Sequence, residues 1–138
     1  MKRARVQNVS ICPVETGLEL ISARWKARIL WKLYHGTMRF GELRRALPGI
    51  TEKMLARQLR ELEQDQLVTR VQYPEVPPRV EYSLSAFGMT LKPILEALRE
   101  WGVANNERIS AIAQSSSGTS AGATTPVNNN LKSNLAQP

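Results

Sequence analysis

A mainly α domain with a small two-stranded antiparallel wing is the fold the sequence predicts, and three observations predict it. Apolar residues recur at helical spacing through most of residues 13–113. Two runs, Leu67–Val71 and Val80–Leu84, alternate enough to be strands. A short turn containing Pro48 and Gly49 separates two of the helices just ahead of those strands.

The elements follow in order. Val14, Leu18 and Ile21 recur at i, i+4, i+7, and Pro13 suits a first helical position, so a first helix spans about 13 to 23. Trp25, Ile29 and Leu33 share one stripe of a second helix, about 25 to 35, which Gly36 stops. Residues 37–40 read as a short extended link. A third helix, about 41 to 47, turns Leu43 and Leu47 inward and ends at Pro48-Gly49. Thr51 can cap a fourth helix of about 52 to 65, with Leu55, Leu59 and Leu62 as its buried stripe. The two strands come next, joined by a loop stiffened by Pro74, Pro77 and Pro78. Ser85 opens a last helix of about 24 residues, bent at Pro93. Helix, turn, helix and then a β-ribbon is the order of a winged helix-turn-helix. Three segments follow: a basic N-terminal arm (1–11), a winged domain with terminal dimerisation helices (12–113), and a tail (114–138) too polar and small-sided to fold.

Bulk composition narrows the function classes. The 138 residues suffice for one ordinary domain. Lys and Arg number 19 against 12 Asp and Glu, a formal charge of +7 that favours a polyanion. No apolar run is long enough to span a bilayer or to form a signal peptide, so a cytoplasmic protein without membrane attachment is expected. With one cysteine, Cys12, and one histidine, His35, neither a disulfide framework nor a structural zinc is available. There is no Gly-rich phosphate loop, no carboxylate pair in a plausible cleft and no nucleophile beside a base. An enzyme is not expected, nor is a cofactor or metal.

The fourth helix carries the functional signal. At about 100° per residue, Lys53, Arg57, Arg60 and Gln64 lie opposite the leucine stripe. Long donors on the exposed face of the second helix of such a unit suit the major groove, where Arg or Lys donates to guanine O6 and N7. Gln58 is placed slightly to one side, able to pair with adenine, and Met54 on the same first turns joins the candidate contacts. Thr51 and Lys53 mark a helix N-terminus that offers backbone N–H groups to a phosphate. Arg39, Arg44 and Arg45 suit flanking phosphate contacts, which position without reading sequence. Arg79, beside Pro77-Pro78 in the wing, suits the minor groove or the backbone. Each of these could instead be ordinary surface charge; the helix-turn-helix context tips the fourth helix toward DNA.

Two apolar surfaces exceed what a helix-turn-helix core needs. Leu18 and Ile21 on the first helix, and Leu91, Ile94, Leu95, Leu98 and Trp101 on the last, read as a homodimer interface. A dimer would set two reading helices about one DNA turn apart. Cys12 stands just ahead of the first helix, where the positive helix end favours a reactive thiol. A lone cysteine is also commonly a small buried hydrophobe, and the sequence leaves both readings open.

Several runs together resemble HxlR-type transcriptional regulators. They are Cys12-Pro-Val-Glu-Thr-Gly-Leu-Glu-Leu-Ile21, Trp25-Lys26, Arg39-Phe40-Gly-Glu-Leu-Arg44, Pro48-Gly-Ile50, Lys53-Met-Leu55, Gln58-Leu-Arg60-Glu-Leu62, Tyr73-Pro-Glu-Val-Pro-Pro-Arg79-Val-Glu-Tyr82 and the segment from Leu95 to Gly102. The resemblance covers residues 12–102 and implies a dimeric winged-helix protein that binds double-stranded DNA and represses or activates genes. It further implies a small reactive effector at Cys12, since several members sense oxidants, aldehydes or quinones through a cysteine there. Gln66 departs from the pattern, which has glycine at the end of the reading helix. Gln66 must adopt a left-handed backbone or the helix must end differently, at a cost of about 1 kcal/mol. The alternative reading is a winged-helix protein-interaction module without sequence-specific DNA binding. Such modules usually present an acidic or apolar face, and the Lys53/Arg57/Arg60 face is basic.

Overall fold

The computed structural model describes residues 12–118. The expected basic arm and most of the expected tail, residues 119–138, lie outside the described residues. The elements run α1 (Pro13–Ile21), α2 (Lys26–Tyr34), β1 (Met38–Arg39), α3 (Phe40–Ala46), α4 (Glu52–Gln64), β2 (Val68–Tyr73), β3 (Arg79–Leu84), α5 (Ala86–Met89), α6 (Lys92–Ala104) and α7 (Asn106–Ser117). Contacts divide the chain into two units, residues 1–99 and 100–138.

In the first unit the predicted leucine stripes converge. Ile29, Leu30 and Leu33 of α2, Leu43 of α3, and Leu55, Leu59 and Leu62 of α4 are all buried, with Leu67, Val68, Tyr82 and Leu95 closing the cluster. Each such aliphatic side chain contributes about 1.5–3 kcal/mol relative to exposure. Lys26 is buried as well, with Nζ 3.1 Å from a Glu61 carboxylate oxygen, which ties α2 to α4. A buried lysine persists only when paired in this way.

The sheet is three-stranded, not two-stranded: its order is β1-β3-β2, antiparallel throughout. The link expected to be merely extended supplies β1, pairing Met38 with Tyr82 and Arg39 with Glu81. Two residues are too few to show a period, so no alternation announced this strand. The free edge of β3 gives its backbone groups their partners.

The ends of α4 follow capping chemistry. Thr51 Oγ1 accepts from the Met54 N–H at 3.1 Å. At the other end Gln66 adopts φ 62°, the left-handed region. Its N–H donates to the Glu63 carbonyl (3.0 Å), and the Leu67 N–H reaches back to Leu62 (2.9 Å). That is a Schellman end, with buried Leu62 and Leu67 as its apolar pair. Gly49, with φ 90°, makes the turn between α3 and α4.

The single long helix expected from Ser85 is three helices. Ser85 caps the short α5, its Oγ accepting from the Gly88 N–H. The chain then breaks at Thr90 and Leu91, so Pro93 falls in the first turn of α6, where it has no helical hydrogen bond to remove. Gly88 is closely packed: a Cβ there would sit 2.1 Å from the Leu67 carbonyl oxygen. In the second unit, Asn105 separates α6 from α7 and donates from Nδ2 to the Trp101 carbonyl. The last helix continues to Ser117, past the expected tail boundary at 113. None of the helices described is long and apolar enough to cross a membrane.

Candidate nucleic-acid interface

The pair α3–α4 forms the helix-turn-helix, and α4 presents its polar face as expected. Lys53, Arg57, Arg60 and Gln64 are all exposed along one side, opposite buried Leu55, Leu59 and Leu62. Arg57 is partly held: its Nε lies 3.6 Å from Glu61, one turn along. A pair this exposed is worth about 0–1 kcal/mol, so it orients the guanidinium without locking it.

Gln58 and Met54 do not join that face. Gln58 is buried, its Nε2 donating to the Met54 sulfur at 3.5 Å, and Met54 is itself half-buried against the core. At about 100° per residue, Gln58 falls on the border of the leucine stripe, roughly 40° from Leu62, rather than beside Arg57. The exposed stripe on α4 is therefore cationic, with Gln64 at its far end.

The flanking cations divide into two kinds. Arg39 and Arg45 are exposed at the two ends of α3, and the Arg39 N–H donates to Glu42, which starts the helix. Arg44 is bridged to Glu52 at 2.6 Å, joining the end of α3 to the start of α4. Both partners of that bridge are well exposed, and a phosphate can compete for the guanidinium. The hydroxyl of Thr51 is committed to its cap; the first turn of α4 still directs N–H groups outward.

In the wing, Arg79 is drawn back onto the protein. Its guanidinium lies 3.2 Å from Glu75 and 3.6 Å from Glu81, and 4.0 Å above the ring of Tyr73, its cross-strand partner. The loop beyond it offers Pro74, Glu75, fully exposed Val76, Pro77 and Pro78, so the tip carries no cation. Arg70, which the sequence reading treated only as part of the expected strand Leu67–Val71, is the cation the wing does present. It is exposed on β2 opposite Tyr82, and with Arg60, Ala56 and Glu63 it borders a cleft of about 440 Å³ between β2 and α4. A cation in the strand directly after the reading helix was the available signal.

Cys12 is exposed and occupies the N-cap of α1. Of the expected interface residues, Leu18, Ile94 and Leu98 in the first unit are about half exposed (52–53%), and Trp101 in the second is 60% exposed. Ile21 and Leu91 are half-buried against the core, and Leu95 is buried within it. Leu95 thus serves the chain's own core and is not surface for a second copy. Behind these residues Tyr34 donates to Glu96 (2.9 Å), and Lys92 is held above the usual lysine range by its hydrogen bond to Tyr34, then by the charges of Tyr34 and Glu96.

The family model described as HxlR-like helix-turn-helix matches residues 20–110. YdeP of Bacillus subtilis (strain 168), named as an uncharacterized HTH-type transcriptional regulator, is 48% identical over 98 residues, which cover 71% of this chain and 77% of YdeP. The structure of the redox regulator HypR in its reduced form superposes with a TM-score of 0.70 at 46% identity, covering 72% of this chain and 99% of that one. The oxidized form of HypR matches with a TM-score of 0.65 at 50% identity, over 68% and 97% of the two chains.

Proposed function

The chain belongs to the HxlR-like helix-turn-helix family, and from that premise we propose how it works as a DNA-binding transcriptional regulator. The α4 face reads duplex DNA in the major groove, with Lys53, Arg57 and Arg60 as the base-reading donors. Arg39, Arg44, Arg45 and the first turn of α4 hold flanking phosphates, and Arg70, rather than Arg79, is the wing's contact with the backbone. The observation that carries this reading is the exposure of Lys53, Arg57, Arg60 and Gln64 in one stripe on the second helix of the unit. The regulator acts as a homodimer through exposed apolar side chains, Leu18 on α1 and Ile94, Leu98 and Trp101 at helical spacing on α6.

Selection of bound duplexes from random DNA by the purified chain tests the reading, at about 150 mM salt so that weak surface contacts are screened. Enrichment of an inverted repeat is the expected result. A folded protein that enriches no sequence would refute it and bring the protein-interaction module forward.

Cys12 supports a second layer of function. Exposed at a helix N-terminus, it is accessible to small oxidants, and HypR, which this chain resembles, is a redox regulator. Oxidation joins Cys12 in a disulfide with a second thiol, that of another copy or a small thiol, and the two thiols pass two electrons and two protons to the oxidant. This changes operator affinity. Operator binding measured before and after diamide treatment should shift by at least about fivefold, a coupling of roughly 1 kcal/mol, and Cys12→Ser should abolish the shift. An unchanged shift in that variant would dismiss Cys12 as the sensor.

A further inference from the structure

A cleft of about 530 Å³ lies in the first unit, away from the α4 reading face, between α2, the end of α3 and the first part of α6. Its apolar lining includes the half-buried Trp31 together with Leu95 and Leu98. Its polar lining is entirely cationic: Arg28 and Lys32, one turn apart on α2, and Arg99 on α6. No carboxylate lines it. None of the three cations makes an ion pair among the described residues; Arg28 lies over the Trp25 ring, at 4.7 Å. Unpaired like charges around an apolar hollow repel one another, and an anion placed there relieves that repulsion.

The volume falls in the range that takes small organic molecules, about 300–1,000 Å³. From the size, the apolar lining and the unopposed cations together, we infer that this cleft binds a small aromatic carboxylate. The ring packs against Trp31 and the leucines, and the carboxylate accepts hydrogen bonds from Arg28 and Arg99, a guanidinium–carboxylate pairing whose planar geometry favours two parallel bonds. The cleft also touches Ala46 and Pro48, the last residue of α3 and the first of the turn that leads to α4. An occupant therefore contacts the link that sets the reading helix. The inference stands apart from the DNA-reading assignment and is tested without DNA, but it shares Leu98 with the proposed dimer surface, so an occupant and a second copy compete for that side chain.

Isothermal titration of the full chain with 1-naphthoate and with the neutral, nearly isosteric 1-naphthamide reads the proposal directly. Saturable binding of naphthoate is expected, with naphthamide weaker by at least about tenfold, the worth of one charge-assisted hydrogen bond. Arg28→Gln with Arg99→Gln should remove the preference for the anion. Both side chains are exposed, and a far-UV spectrum and thermal midpoint like those of the parent chain establish that the variant folds; Lys32→Gln gives an independent second variant. No saturable binding of naphthoate, as when a second copy covers the cleft, would overturn the inference. So would equal affinity for acid and amide, or a preference that survives loss of the cations.

Discussion

Replacing Gln66 by glycine relieves a strain that can be sized from the backbone. At φ 62° the Cβ of Gln66 crowds its own backbone, at a cost of about 1–2 kcal/mol for an L-residue in the left-handed region. Glycine carries no such cost in the folded state but gives the unfolded chain more freedom, which takes back about 0.4–1 kcal/mol. The hydrogen bonds that fix the helix end are all backbone groups of residues 62, 63, 66 and 67, together with the Ser85 hydroxyl on the Gln66 carbonyl. Glycine keeps every one of them, and the exposed Gln66 side chain forms no hydrogen bond of its own. The net expectation is a gain of about 0.5–1 kcal/mol, or about 2–6 °C in Tm for a domain of this size. Thermal unfolding followed by circular dichroism, beside Gln66→Ala as a control that retains the Cβ, measures it. A glycine variant no more stable than the parent, or an alanine variant stabilised equally, would refute the reasoning.

Three further outcomes follow from particular contacts. Arg57→Ala should lower affinity for the selected operator by about 1–3 kcal/mol while hardly changing affinity for unrelated duplex, measured by fluorescence anisotropy. Arg44→Ala should instead weaken all duplexes alike and reduce the salt dependence by about one phosphate contact; matching profiles for the two variants would end the division between reading and positioning residues. Gly88→Ala drives a methyl group to 2.1 Å from the Leu67 carbonyl, so urea unfolding should show a loss of about 1–3 kcal/mol, and a neutral result would mean that α5 shifts freely.

Much of this was legible because burial and spacing agree. The leucine stripes of α2, α3 and α4 are long enough to show their period, and their burial follows. At Gln66 the sequence leaves two outcomes, a left-handed residue or a different helix end, and the chain takes the first, closing α4 with a Schellman end. What escaped is what periodicity cannot encode. Two-residue β1 has no period, and neither the break at Thr90–Leu91 nor the close packing of Gly88 onto Leu67, residues far apart in sequence, is written in a helical stripe. Leu95 looked like one more residue of an exposed stripe because a helical stripe does not say which part of it faces its own core. The position of Arg79, held against the wing, has an electrostatic reason. Glu75, Glu81 and the Tyr73 ring surround it only once β2 and β3 pair.

The burial of Gln58 narrows the operator as well as the list of contacts. In the proposed reading, direct contacts from α4 rest on Lys53, Arg57 and Arg60, all donors without an acceptor, and the major-groove edge that offers two acceptors side by side is that of guanine. Adenine is best recognised by an amide, which donates and accepts at once, but Gln58 is turned into the protein and Gln64 lies in the last turn of the helix. Reading helices touch bases mainly with their N-terminal residues. Each half-site of the enriched repeat should therefore carry guanine where α4 docks. Arg57→Ala should relax the preference at one such position, leaving the others intact. Half-sites with no invariant G·C pair would mean that α4 only positions the protein, and that sequence is read through the deformability of the duplex.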